Sequence, residues 1–266
     1  MPKIKKIKAR EIIDSRGNPT VECDIYLSDE IFGRAAVPSG ASTGMHEAIE
    51  LRDQDKNRYG GKGVLKALSN ITEIISPKIL NKEFKNIKDF DEFLIFADGT
   101  KNKSNLGANA TLALSLAFAK SLASYEKKNL FHYLNNSDQY IMPVPMMNII
   151  NGGSHADNKV DIQEFMIAPV GASSFKESIR YGAEIFHSLK SKLKEKGLNT
   201  NVGDEGGFAP NINSSNDVIE IIIQAVISTG LKMNEDIMLS LDVAATEFYF
   251  DHKYNLNGEN KIFLQK

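Results

Sequence analysis

The chain changes rhythm near residue 138, and that change narrows the folds open to it. Before it, Val21, Cys23, Ile25 and Leu27 alternate with Glu22, Asp24, Tyr26 and Ser28; a period of two predicts a strand with one face in water. Turn residues flank this strand, Ser15-Arg16-Gly17-Asn18-Pro19 before it and Ser28-Asp29-Glu30 after it. Further apolar runs lie within 4–13 and 31–37, so an antiparallel three-stranded meander is expected. Helical spacing then takes over at Val64, Leu68, Ile71, Ile75 and Ile79, with Pro77 expected to end or kink that helix. Phe90, Phe93 and Leu94 mark a short helix, and 109–125 is apolar on nearly every side, which predicts a buried one. A sheet followed by helices is an α+β domain, assigned to residues 1–138.

From Ile141 onward strands and helices alternate. The runs 143–150 and 164–170 read as short apolar strands and 237–243 as a buried one. Ile179, Ala183, Phe186, Leu189 and Leu193 predict one face of a long helix closed by Lys196-Gly197, and 218–227 predicts another helix. Lys190, Lys192, Lys194 and Lys196 fit cations in the last turns of that long helix better than a basic patch. Acidic residues stand at strand ends, the signature of a β/α barrel whose catalytic groups gather at the C-terminal ends of its strands. A complete barrel takes roughly 250 residues. The expected fold class is therefore α/β: an N-terminal α+β domain, then the first part of a β/α (TIM) barrel over 139–266, incomplete.

Bulk properties exclude several roles. Lys+Arg of 32 against Asp+Glu of 34 leaves a formal charge of -2, which argues against nucleic acid or a membrane surface bound by bulk charge. Cys23 is the single cysteine, so an intrachain disulfide is impossible and a small core residue is expected. The basic N-terminus is followed by no continuous apolar region, and the longest apolar stretch, 111–119, is about half of a bilayer span. The cytoplasm is the expected location.

Three segments carry the chemistry: Gly152-Gly153-Ser154-His155-Ala156-Asp157-Asn158 leading into Gln163-Glu164; Gly203-Asp204-Glu205-Gly206-Gly207; and Leu239-Ser240-Leu241-Asp242-Val243. His155 follows two glycines on a polar loop, where it is placed either to reach a phosphate or to serve the structure. Glu164 enters an apolar strand, costly for a carboxylate unless it is paired or metal-bound; Gln163 beside it is a substrate contact or a strand-edge amide. Glu205 lies among glycines that let a ligand approach, and its acidic neighbour favours a raised pKa suited to a general acid. Asp242, alone in an apolar strand, calls for a metal or an arginine. The Pro38-Ser39-Gly40-Ala41-Ser42-Thr43-Gly44 loop reads as a connecting turn or an anion- or metal-wrapping loop, without the Gly-Lys-Ser/Thr ending of a P-loop.

In this order and with these flanks, the segments closely resemble the enolase (phosphopyruvate hydratase) family. The resemblance also covers the 7–22 run, with Asp14-Ser15-Arg16-Gly17-Asn18-Pro19 at its centre, and the Pro38 to Gly44 loop, and extends to about Tyr249. It implies a glycolytic lyase that reversibly dehydrates 2-phosphoglycerate to phosphoenolpyruvate with Mg²⁺, in a fold with a small α+β domain before a β/α barrel. It implies Asp242 as a carboxylate ligand of the first magnesium and Ser42 as the loop ligand of the second. Glu205 resembles the acid that helps the 3-hydroxyl leave, with Glu164 as its partner and a substrate contact. Gln163 and His155 resemble further substrate contacts, His155 on a loop that closes over the ligand. A homo-oligomer is implied, as is a second location, secreted or at the cell surface.

The family's chains continue beyond Lys266 with the lysine base, two further magnesium carboxylates and the Arg and Ser that hold the phosphate. Thr246 stands where serine is commoner. The 266 residues alone are therefore expected to be inactive. The competing reading is a catalytically inactive fragment that acts, if at all, as a binding or interaction protein; the coding sequence after Lys266 discriminates the two.

Overall fold

Strand β1 (Lys6–Ile13) pairs antiparallel with β2 (Pro19–Tyr26), which pairs antiparallel with β3 (Phe32–Ala36). The computed structural model describes residues 2–40, 43–135, 137 and 139–264, and the chain divides into two compact units. The first comprises Met1–Gly40 and His46–Gln139, the second mostly Tyr140–Lys266. As the alternation predicts, Val21, Cys23 and Ile25 face the core of the first unit. Burial pushes the Cys23 thiol up to about 12, which leaves it inert.

The opposite face of β2 is not uniformly wet. Asp24 is fully buried there, beneath Arg34 directly across on β3 and Arg10 on β1. Arg34 Nε and Nη2 donate to its two carboxylate oxygens at 2.7 and 2.9 Å. Burial raises the Asp24 pKa, but the two guanidinium groups outweigh it and bring the carboxyl down to about 2 from an ordinary 3.8. A carboxylate depressed on folding contributes stability above its unfolded pKa and loses it as pH falls through the folded one. Thermal melts should therefore show the chain losing stability between about pH 4 and pH 2, with Asp24→Asn flattening that loss. An unchanged acid slope in the variant would remove this ion cluster from the account.

Pro77 does not end its helix. Helix α1 (Leu65–Ser69) runs into a π-helical stretch (Asn70–Ile75) and then α2 (Ser76–Ile79). Proline lacks an N–H and its ring crowds the carbonyl four residues back, so the wider turn just before it is the relief. The Ser76 N–H reaches five residues back, to the Ile71 carbonyl. Helices α3 (Ile87–Asp98), α4 (Ala108–Tyr125) and α5 (Leu130–Leu134) complete the unit. Helix α4 is buried along most of its length and packs on β2 and β3, where a Cβ at Gly33 would meet the Ala117 carbonyl oxygen at 2.2 Å.

In the second unit β4 (Met147–Asn151) pairs with β5 (Glu164–Ala168). Helices α6 (Phe175–Glu195) and α7 (Ser215–Ser228) then lead to β6 (Met238–Asp242), which pairs with the other edge of β5. Both pairings are antiparallel, and no barrel closes among the described residues. Two helices between β5 and β6 reverse the chain direction an extra time, so β6 returns antiparallel where a single-helix crossover returns parallel. Glu164 therefore stands at the N-terminal end of its strand, against the C-terminal position expected for a barrel carboxylate.

Two further expectations are corrected. The buried stripe of α6 is Ser178, Gly182, Ile185, Leu189 and Leu193, whereas Ile179 is 46% exposed and Ala183 faces solvent. Gly182 on this stripe faces the Met147 side chain of β4, where a Cβ would lie 2.2 Å from Sδ. Strand β6 is not buried; as the sheet edge it leaves Met238, Leu241 and Asp242 exposed. A final meander of β7 (Tyr249–Phe250), β8 (Lys253–Leu256) and β9 (Lys261–Leu264) went unrecognised, although Asn257-Gly258 between apolar positions is a hairpin signal. Among the described residues, no helix is long and apolar enough to cross a membrane.

Candidate active site

The site grows from the end of β4. Asn151 closes the strand, and Gly152-Gly153 turn the chain so that residues 160–163 fold back over it. The Gly152 N–H donates to the Gln163 carbonyl at 2.9 Å and the Gly153 N–H to the Val160 carbonyl at 2.7 Å. Gly152 is required here, because a Cβ would meet the Ile162 carbonyl oxygen at 2.4 Å. The turn carries His155 inward, leaving it 6% exposed while the other histidines are exposed.

The second glycine-rich segment closes on the same point. The Asn151 side-chain amide donates to the Gly207 carbonyl at 2.6 Å, and the Phe208 N–H to the Ile149 carbonyl at 2.9 Å. A Cβ at Gly203 would fall 2.6 Å from the His155 carbonyl oxygen, so only glycine lets this bend lie against the histidine backbone. Glu205, partly exposed on the bend, places Oε1 4.0 Å from His155 Nε2. On the other side of the ring, Glu164 Oε1 lies 3.3 Å from Nδ1. The angles there do not make a hydrogen bond, and Nδ1 is buried without one.

Strand pairing supplies the rest. Glu164 and Asp242 are cross-strand partners of β5 and β6. Ser154 Oγ donates to Gln163 Oε1 at 2.9 Å, and Gln163 Nε2 donates to Asp242 Oδ2 at 3.1 Å. Gln163 is thus a buried amide used at both ends and no mere strand-edge residue. The Ala244 N–H donates to Asp242 Oδ1 at 3.2 Å. The structure brings His155, Gln163, Glu164, Glu205 and Asp242 together; Ser42 lies outside the described residues.

The Glu164 carboxyl is raised above its ordinary value. Burial pushes it up first, the negative charges of Asp242 and Glu205 add to this, and His155 acts in the opposite sense. Among the described residues, no lysine or arginine forms an ion pair with Glu164, Glu205 or Asp242. Ligand atoms of His155, Glu164 and Glu205 all lie within 4.8 Å of one another. Crowded carboxylates without a basic partner, beside a buried imidazole, fit a divalent cation. Sequence reading passed over Ser154, Asn151 and Asn158, whose side-chain amide donates to the Asn151 and Pro210 carbonyls at 2.9 and 3.1 Å. Their place inside the Gly152 to Asn158 segment was the available signal.

Two family models match the chain. One, described as the enolase N-terminal domain, covers residues 4–134. The other, described as the enolase C-terminal TIM barrel domain, covers residues 139–263.

Proposed function

The chain belongs to the enolase family, and from that premise we propose that its site serves the magnesium-dependent, reversible dehydration of 2-phosphoglycerate to phosphoenolpyruvate, a lyase step of glycolysis. The observation that carries this reading is the approach of Glu164 and Glu205 to a buried histidine, with Asp242 opposite Glu164 across the β5–β6 pair and the Glu164 carboxyl pushed up by its surroundings.

Dehydration breaks C2–H and C3–OH, forms the C2=C3 double bond and releases water. Glu205 delivers a proton to the departing 3-hydroxyl, and Glu164, its carboxyl raised above the ordinary value by burial, stands on the other side of His155 as its partner. His155 is held rigidly enough by Gly152 and the 203–207 bend to contact the substrate phosphate. Gln163, oriented by Ser154 and Asp242, fixes the substrate's polar end. Asp242 would hold a first magnesium, and by the family resemblance Ser42 of the glycine-rich loop would hold a second. When bound, the cation neutralises the doubly negative ene-diolate left by C2 deprotonation, a strategy for which the enolase superfamily is itself the standing example. The base that takes the C2 proton is not assigned to any of these residues.

The test is phosphoenolpyruvate formation by the 266 residues alone and by the same residues fused to the C-terminal portion of a family member. The first should give none and the second a magnesium-dependent rate. Turnover by the 266 residues alone would overturn these residue roles, and failure of the fused protein would overturn the function.

A further inference from the structure

The turn between β8 and β9 grips the loop that carries His155. Gly258 N–H and Glu259 N–H both donate to the Asp161 carboxylate, at 3.0 and 3.2 Å. Glu259 in turn accepts the Ser215 N–H at 2.6 Å and the Ser215 hydroxyl at the start of α7, and pairs with Lys261 Nζ at 2.9 Å. Its side chain is almost wholly buried. Burial raises the Glu259 pKa, but the Ser215 and Lys261 contacts outweigh it and hold the carboxyl below its usual range. The approach is tight: a Cβ at Gly258 would fall 1.9 Å from the Lys159 carbonyl oxygen. Asp161 belongs to the 160–163 segment that receives the Gly152 and Gly153 N–H groups of the turn leading to His155. Hydrogen bonds therefore run from the N-terminus of α7 through Glu259 to Asp161, and the backbone of 160–163 carries the link on to the histidine turn.

We propose that Asp161 and Glu259 are positioning residues for His155, and that Gly258 is glycine so that the β8–β9 turn can seat against the histidine loop. A role for His155 in catalysis rests on the function proposed above; the clamp itself does not. Breaking it frees the loop locally, because no core side chain is altered and the loop opens at the low-stability end of the unit.

The test is the rate at which diethyl pyrocarbonate modifies each of the five histidines of the full chain, read by peptide mass spectrometry. His155 should react slowest, and Asp161→Ala should accelerate it by on the order of tenfold or more while His46, His132, His187 and His252 stay unchanged. Asp161→Asn keeps one acceptor and should restore much of the protection. Gly258→Ala should accelerate His155 by the steric route alone. An unchanged His155 rate in both Asp161→Ala and Gly258→Ala overturns the proposal. The other four histidines are exposed already, so circular dichroism of each variant reports whether it has unfolded; if it has, amide exchange in the unaltered chain decides. There the Gly258, Glu259 and Gly153 amides should open as one unit; free exchange at Gly258 and Glu259 beside a protected Gly153 overturns the clamp. Intact protection of His155 together with failed turnover in the fused protein would sink the proposed function and leave the clamp standing.

Discussion

Glu205→Gln, made in the chain fused to a family C-terminal portion, should lower phosphoenolpyruvate formation by about a hundredfold or more while magnesium binding stays near its unaltered level. Gln keeps the shape of Glu205 on its glycine-rich bend and its distance from His155, but has no proton to deliver to the leaving hydroxyl. Exchange of the C2 proton with solvent should persist, since a different group removes it. Asp242→Asn should fail by another route. Asn can still accept from Gln163 through its carbonyl oxygen, so the link between β5 and β6 survives, but one negative charge leaves the metal site. Weaker magnesium binding comes first, and lost activity follows from it. Raising magnesium should then restore Asp242→Asn in part and leave Glu205→Gln where it was. Equal rescue of both variants by magnesium would erase the division between acid and metal ligand.

Phe118→Ala should destabilise the first unit by about 3–5 kcal/mol, a large share of the 5–15 kcal/mol typical of a folded domain. Phe118 is fully buried on α4, with its ring 4.4 Å from Phe90 and 6.0 Å from Phe84. Helix α4 is pressed so closely on β3 at Gly33 that the backbone has no room to collapse into the space left behind. The cavity therefore persists, and its cost adds to the lost transfer energy. Phe96→Ala is the control, because that ring, on α3, is 86% exposed and should change stability by less than about 0.5 kcal/mol. Denaturant midpoints followed by circular dichroism compare the two, and a Phe118→Ala loss no larger than the control's would show that the aromatic cluster is not what holds the unit together.

The family assignment was legible in short motifs, and most elements were legible in local periodicity. The period of two around Cys23 marks β2, and the apolar run at 109–125 marks α4, because side-chain direction along a strand or helix is set by backbone geometry within a few residues. Glycine-rich and acidic motifs, together with the family resemblance, singled out His155, Gln163, Glu164, Glu205 and Asp242; the structure sets Glu164 and Glu205 beside His155, and Asp242 beside Gln163 and Glu164.

What local pattern could not carry was anything settled by partners far along the chain. Asp24 looks like a solvent-facing residue until Arg34 and Arg10 arrive on neighbouring strands and cover it. The buried stripe of α6 sets Gly182, not Ala183, against Met147, a packing choice made across about 35 residues of chain. Strand β6 reads as buried from its residues, yet its exposure depends on whether another strand lies beside it, and none does among the described residues. The raised carboxyl of Glu164 has no signal in its neighbours along the sequence. Burial beside β5, and the charges of Asp242 and Glu205 brought near by strand pairing and loop closure, exist only once the chain has folded. Residue types and their local order thus determined which elements form and which groups are available for chemistry. The direction of β5, the burial of Asp24 and the raised pKa of Glu164 were decided by tertiary structure, because pairing register and solvent exclusion depend on segments that the sequence holds far apart.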